Sequence, residues 1–176
     1  MKITDVKLIY AKHYLFVHIY TDEGIVGLGE AGNWGHLMAT AEAIKKFSTY
    51  LIGKDPSRID DIGQNLYRSL YFRGSVIMSA ISAIDIALWD IKGKKLGVPV
   101  YELLGGKTRD KVRVYASPMH KETDPEALKQ SYRELKDQGF TAAKIFVNGP
   151  IKSENGGRDE FYCGRVEDEL EKVAMI

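Results

Sequence analysis

Lys144 stands in the run Ala143-Lys144-Ile145-Phe146-Val147, which closes on Asn148-Gly149-Pro150. If that run is a strand, its two-residue period puts Lys144, Phe146 and Asn148 on one face and Ile145 and Val147 on the other. A lysine so placed either offers its ammonium to an anion or reaches solvent from the strand end. Two positions on, Phe146 can take no proton. A second group lies in the loop Glu30-Ala31-Gly32-Asn33-Trp34-Gly35-His36. Its glycines permit movement, and Asn33, Trp34 and His36 bring an amide, an indole and an imidazole. The blander reading is that Trp34 packs and His36 opens a helix. A third is Gly156-Gly157-Arg158, a guanidinium for a carboxylate or else a surface turn. Ser117 and His120 are close in sequence, but no nucleophile, base and orienting group can be read around them. His13 and His18 have no obvious partner. Asp85 and Asp90 are five residues apart and do not share a helix face as metal ligands would, so capping, ion pairing or solvent contact suits each better.

The elements that must position these residues follow from periodicity. Lys2–Tyr10 and Tyr14–Thr21 alternate as strands, with Val6, Leu8 and Tyr10 marking the first and Phe16, His18 and Tyr20 the second. Asp22-Glu23-Gly24 makes a turn into a third strand, Ile25–Ala31, whose Gly27 and Gly29 point to close backbone approach or a bulge. Three helices follow. His36–Ile52 carries the stripe Leu37, Ala41, Ile44, Phe47 and Leu51. Ser57–Leu70 carries Ile59, Ile62, Leu66 and Leu70. Val76–Lys95 carries Ala80, Ile81, Ala83, Ile84, Ala87, Leu88 and Ile91, and Gly97 with Pro99 stops it. Strands first and helices after is an α+β order. Beyond Gly106, a strand at Lys111–Ser117, a helix opened by Asp124-Pro125 and closed by Gly139, and a strand at Thr141–Val147 form a β-α-β unit with parallel strands. A polar loop then leads to a last helix near Val166.

Composition narrows the function classes. The 176 residues are 44% hydrophobic and 28% charged, with 25 Lys plus Arg against 24 Asp plus Glu. Scattered, balanced charge argues against a nucleic-acid partner. No apolar run approaches the roughly 20 residues that span a bilayer, so no membrane partner is expected. Cys163 is the one cysteine, which excludes an intrachain disulfide and fits a reducing cytoplasm.

The segment Ser79–Gly106, with its helix, Gly-Val-Pro and Leu-Leu-Gly-Gly in that order, resembles the enolase superfamily in its mandelate racemase and muconate lactonizing branch. The resemblance implies an α+β capping domain at residues 1–110, a three-stranded antiparallel meander plus helices. The start of a (β/α)8 barrel would follow at 111–176. A full barrel takes about 250 residues, and the 66 from Lys111 to Ile176 allow about two β/α units of an incomplete barrel. The chain reads as an N-terminal portion, truncated within the second barrel helix.

By the same resemblance, Lys144 matches the first lysine of a Lys-x-Lys pair that ends the second barrel strand and helps hold a substrate carboxylate. Phe146 replaces the second, often a base, which tilts the family comparison toward acid-sugar (aldonate or aldarate) dehydratases and away from racemases or cycloisomerases. The family's Mg²⁺ would be expected in the intact enzyme, with ligands on later barrel strands and no metal ligand in this chain. The loop of Asn33, Trp34 and His36, with Arg158, would meet a small-molecule sugar acid. The intact enzyme would abstract the α-proton and expel a β-hydroxyl, and this chain alone would be inactive. The alternative is a non-catalytic remnant or interaction subunit that complements a separate C-terminal barrel chain. A homo-oligomer is also expected of the family.

Overall fold

The computed structural model describes residues 1–117 and 125–144. The chain divides into two compact units, Met1–Thr108 and Arg109–Ile176.

The first unit opens with an antiparallel meander in the order β1 (Ile3–Ala11), β2 (Tyr14–Thr21), β3 (Val26–Glu30). The central strand pairs Leu8 with Val17 on one side and Val17 with Gly29 on the other. The set facing the core is Leu15, Val17 and Ile19, each fully buried, while Phe16, His18 and Tyr20 take the half-exposed outer face. The aliphatic set wins the interior because it buries no polar atom, whereas the imidazole and phenol of the other set need water or partners. On β1 Ile3 is fully buried and, past a register shift before Asp5, Val6 and Leu8 pack against the core. Tyr10, in the same alternation, is 49% exposed.

Three helices follow, α1 (Leu37–Leu51), α2 (Ile59–Arg68) and α3 (Ser75–Leu96); α1 and α3 cover the inner face, and α2 packs on α3. Their buried residues fall three and four apart. Ala41, Ile44, Phe47 and Leu51 line α1; Ile59, Ile62 and Leu66 line α2; and α3 contributes Ala80, Ile81, Ala83, Ile84, Ala87, Leu88 and Ile91. At its end Gly97 takes a left-handed φ of 69°, and its N–H returns to the helix carbonyls, so the stop expected from Gly97-Val98-Pro99 is made by a glycine cap. After Pro99 the chain makes one more helical turn, α4 (Val100–Leu103), too short to be legible as periodicity.

The central helix lies directly on β3. A β-carbon at Gly27 would sit 2.2 Å from the Ala87 carbonyl oxygen, and one at Gly29 would sit 1.9 Å from that of Ala83. Of the alternatives read for these glycines, close backbone approach is therefore the one realised. On α3, Ala83 and Ala87 supply the matching small side chains. The free edge of β3 is also capped by this helix. Asp90 Oδ2 accepts the Leu28 N–H at 2.8 Å, and Lys94 Nζ donates to the Val26 carbonyl at 2.7 Å and to Asp90 at 2.6 Å. Two side chains thereby occupy backbone positions that an added strand would take.

Asp85 has a different environment. Burial, and then the nearby Asp60 carboxylate, raise its proton affinity above that of an ordinary aspartate. The folded state then holds the Asp85 proton more tightly than the unfolded chain does. Its contribution favours folding at low pH and is lost as pH rises through the folded pKa. Asp85→Asn is expected to raise stability at pH 7 by a few tenths of a kcal/mol after solvent screening, about 1–2 °C in Tm. Thermal melts at neutral pH and near pH 3 check it, the gain vanishing at the acidic end.

In the second unit α5 (Pro125–Asp137) ends at Gly139, as its sequence predicts. Along it Leu128, Tyr132 and Leu135 are half-buried, and Ala127 is exposed. The expected strand over Lys111–Ser117 is not formed along its length. It makes one isolated parallel bridge, Ala116 to Ala143, with Ala116 N–H on the Ala142 carbonyl (3.0 Å) and Lys144 N–H on the Ala116 carbonyl (2.7 Å). Parallel strands are sustained by neighbours on both sides and cover on both faces, and Val112, Val114 and Tyr115 are more than half exposed. A parallel pairing flanking a helix is present, but two complete barrel units are not seen among the described residues. The remainder of the Thr141–Val147 strand, the Asp124 cap and the helix near Val166 lie outside them.

Candidate functional site

The loop Gly32–His36 leaves the sheet at the end where β2 begins. Because β2 and β3 run antiparallel, Ala31 N–H reaches the Leu15 carbonyl at 2.8 Å, and the β1–β2 turn lies beside the β3–α1 connection. Ala11 pairs with Tyr14, so that turn is the two residues Lys12 and His13. Lys12 adopts a φ of 53°, a left-handed backbone that short hairpins demand and lysine adopts at a cost of about 1–2 kcal/mol.

These two connections meet through side chains. The rings of His13 and Trp34 lie 6.4 Å apart between centroids and within 10° of parallel. Trp34 is nevertheless 87% exposed, so most of the indole faces water. His36 takes the N-cap position of α1, but its side chain makes no capping bond, and the first turn of the helix carries no acid. Its imidazole is exposed. The positive end of a 15-residue helix is thus left without a built-in negative partner, an arrangement that favours an anion.

The base of the loop is held by Thr40, which is completely buried. Its hydroxyl donates to the His36 carbonyl at 3.1 Å and accepts from Asn33 Nδ2 at 3.3 Å, and His36 N–H bonds the Asn33 carbonyl at 3.0 Å. Asn33 is therefore turned inward as a loop brace, while Trp34 and His36 are presented outward. Thr40→Val keeps the shape and removes both hydroxyl bonds. It is expected to cost about 1–2 kcal/mol and to speed amide exchange at His36, read by urea unfolding and hydrogen exchange.

The structure brings Asn33, Trp34 and His36 into one loop and adds His13 and Thr40, which sequence reasoning did not place there. Thr40 was legible as a polar residue interrupting an apolar helical stripe; His13, 21 positions from Trp34, had no local signal. His18 lies apart, against Tyr20 on the outer sheet face. Lys144 belongs to the second unit, exposed, one residue beyond the bridge at Ala143; Ser117 follows the other side of that bridge and is exposed. Arg158, Phe146 and His120 lie outside the described residues. Among the described residues, no three His, Cys, Asp or Glu side chains gather as a metal-binding group. Asp90 is spent on the β3 edge, and Asp85 faces a second carboxylate with no third ligand, so neither fits a Mg²⁺ site. No helix among the described residues is long and apolar enough to cross a membrane.

Comparison with known proteins adds to this geometry. Residues 4–105 match the sequence profile of the mandelate racemase / muconate lactonizing enzyme N-terminal domain. Over 107 residues the chain is 54% identical to a D-galactonate dehydratase of Variovorax paradoxus (strain S110), covering 60% of this chain and 28% of that protein. A member of the enolase superfamily from Salmonella Typhimurium superposes with a TM-score of 0.84 at 31% identity, over 99% of this chain and 50% of that one. An enolase from Pantoea ananatis, solved with bound D-gluconate and Mg, gives a TM-score of 0.74 at 42% identity, over 81% of this chain and 35% of its own. The chain thus spans half or less of the length of each of these relatives.

Proposed function

The chain belongs to the mandelate racemase / muconate lactonizing enzyme family through its N-terminal domain, and on that premise we propose that it is the capping portion of an acid-sugar dehydratase acting on an aldonate such as D-galactonate. The observation that carries this is the 54% identity over 107 residues to a D-galactonate dehydratase, beside a family match whose span, residues 4–105, contains the Asn33–His36 loop. The division at residues 110 and 111 into cap and barrel, and a cytoplasmic location, are part of the same reading.

In the reaction, a proton leaves the carbon α to the substrate carboxylate and the β-hydroxyl departs as water. Trp34 and His36 would meet the hydroxylated chain, and Asn33 would hold their loop in shape. In the second unit, taken by itself, Lys144 would steady a substrate carboxylate as a point charge, with Arg158 a further cation for such a group. Phe146 excludes a base at its own position, so the proton acceptor lies on another strand. Mg²⁺, when bound, would supply charge stabilisation for the carboxylate of the deprotonated acid. Its ligands are not drawn from the described residues.

The test is a graft. The matching N-terminal segment of the Variovorax paradoxus enzyme is replaced by residues 4–105 of this chain, and water loss from D-galactonate is followed by proton NMR. A folded chimera that dehydrates D-galactonate with Mg²⁺, and stops with EDTA, supports the proposal. A folded, Mg²⁺-loaded chimera that leaves D-galactonate untouched and consumes another acid sugar, or none, refutes it.

A further inference from the structure

We propose that His13 is a positioning residue for the selectivity loop, its ring stack on Trp34 tying the β1–β2 turn to the Asn33–His36 connection so that the two act as one ligand-facing rim. The role given to that loop rests on the dehydratase reading above; the tie itself does not.

Three observations converge on it. First, the rings are near-parallel at 6.4 Å, within the separation at which aromatic pairs attract. Second, Trp34 keeps most of its indole in water at 87% exposure, and among the described residues its ring contact is with His13. Third, His13 sits in the two-residue β1–β2 turn, which the antiparallel register and the Ala31 N–H bond to the Leu15 carbonyl set beside the β3–α1 connection. The brace beneath, from Thr40 to Asn33 and His36, holds the loop at its helical end. The His13 ring would hold it at its tip. The indole is left largely uncovered, with its exposed surface available to the carbon chain of a bound acid.

Amide hydrogen exchange on the 176-residue chain tests the tie, because the His36 N–H bonded to the Asn33 carbonyl reports loop order directly. His13→Ala is expected to speed exchange at His36 about fivefold, the equilibrium share of one such ring pair. His13→Phe, which keeps a flat ring, should restore the wild-type rate. Unchanged exchange in His13→Ala overturns the proposal, and so does equal acceleration in both variants, which would make imidazole hydrogen bonding the cause. Should His13→Ala fail to fold, Trp34→Ala removes the other ring from an exposed loop and must give the same acceleration. No ligand is needed, so failure here leaves the dehydratase reading intact. Failure of the graft leaves the ring tie intact.

Discussion

Gly29→Ala is expected to destabilise the first unit by roughly 3 kcal/mol or more, the range of severe core overpacking. The added methyl would stand 1.9 Å from the Ala83 carbonyl oxygen and 2.9 Å from its carbon. Both are helix backbone atoms, so no rotamer change relieves the clash; α3 would have to retreat from the sheet. Ala83→Gly therefore should not rescue it, which separates this mechanism from ordinary side-chain crowding. Gly27→Ala should behave alike, its methyl meeting the Ala87 carbonyl oxygen at 2.2 Å and Ile91 Cγ1 at 2.6 Å. Gly63, inside α2 with nothing within 4 Å of an added methyl, is the control. There alanine should stabilise by about 0.5–1 kcal/mol through helix propensity. Urea midpoints of the three variants decide the matter. A Gly29→Ala midpoint close to wild type would show that α3 does not sit on β3 as described.

Asp90→Ala is expected to cost about 1.5–3 kcal/mol, the worth of a hydrogen bond to a charged acceptor, and to change solution behaviour as well. It strips the Leu28 N–H of its carboxylate and leaves Lys94 with only the Val26 carbonyl. The β3 edge would then present an open donor to any strand that approaches. Light scattering against concentration should show more association in Asp90→Ala than in wild type. Asp90→Asn, which keeps an acceptor oxygen for Leu28 and loses the ion pair, should fall between. An Asp90→Ala variant with wild-type association and unchanged stability would remove the edge-guard role.

Much of the first unit was legible because its signals are local. The strand spans over β1 and β2 and all three long helices follow from side-chain period, and Gly97 before Pro99 marks a stop that the backbone makes with a left-handed glycine. The second unit was less so. The residues of Lys111–Ser117 alternate well enough to suggest a strand, yet a parallel strand exists only with neighbours, and one bridge is what the described residues make. Face choice on β2 also escaped the pattern, since Leu15-Val17-Ile19 and Phe16-His18-Tyr20 are both regular alternations. Desolvation of the polar ring atoms, felt only once α3 covers one side, decides between them.

At the candidate site the division is the same. From Asn33, Trp34 and His36 alone the sequence determined a loop rich in polar and aromatic groups, and from Ser79–Gly106 the family. Only the tertiary structure turned Asn33 inward onto Thr40, brought His13 to Trp34 from 21 residues away, and assigned Asp90 and Lys94 to the sheet edge. Periodicity reports how neighbours along one element share a face. Contacts between elements depend on the packing distance of α3 on β3 and the antiparallel register of β2, which no single segment encodes.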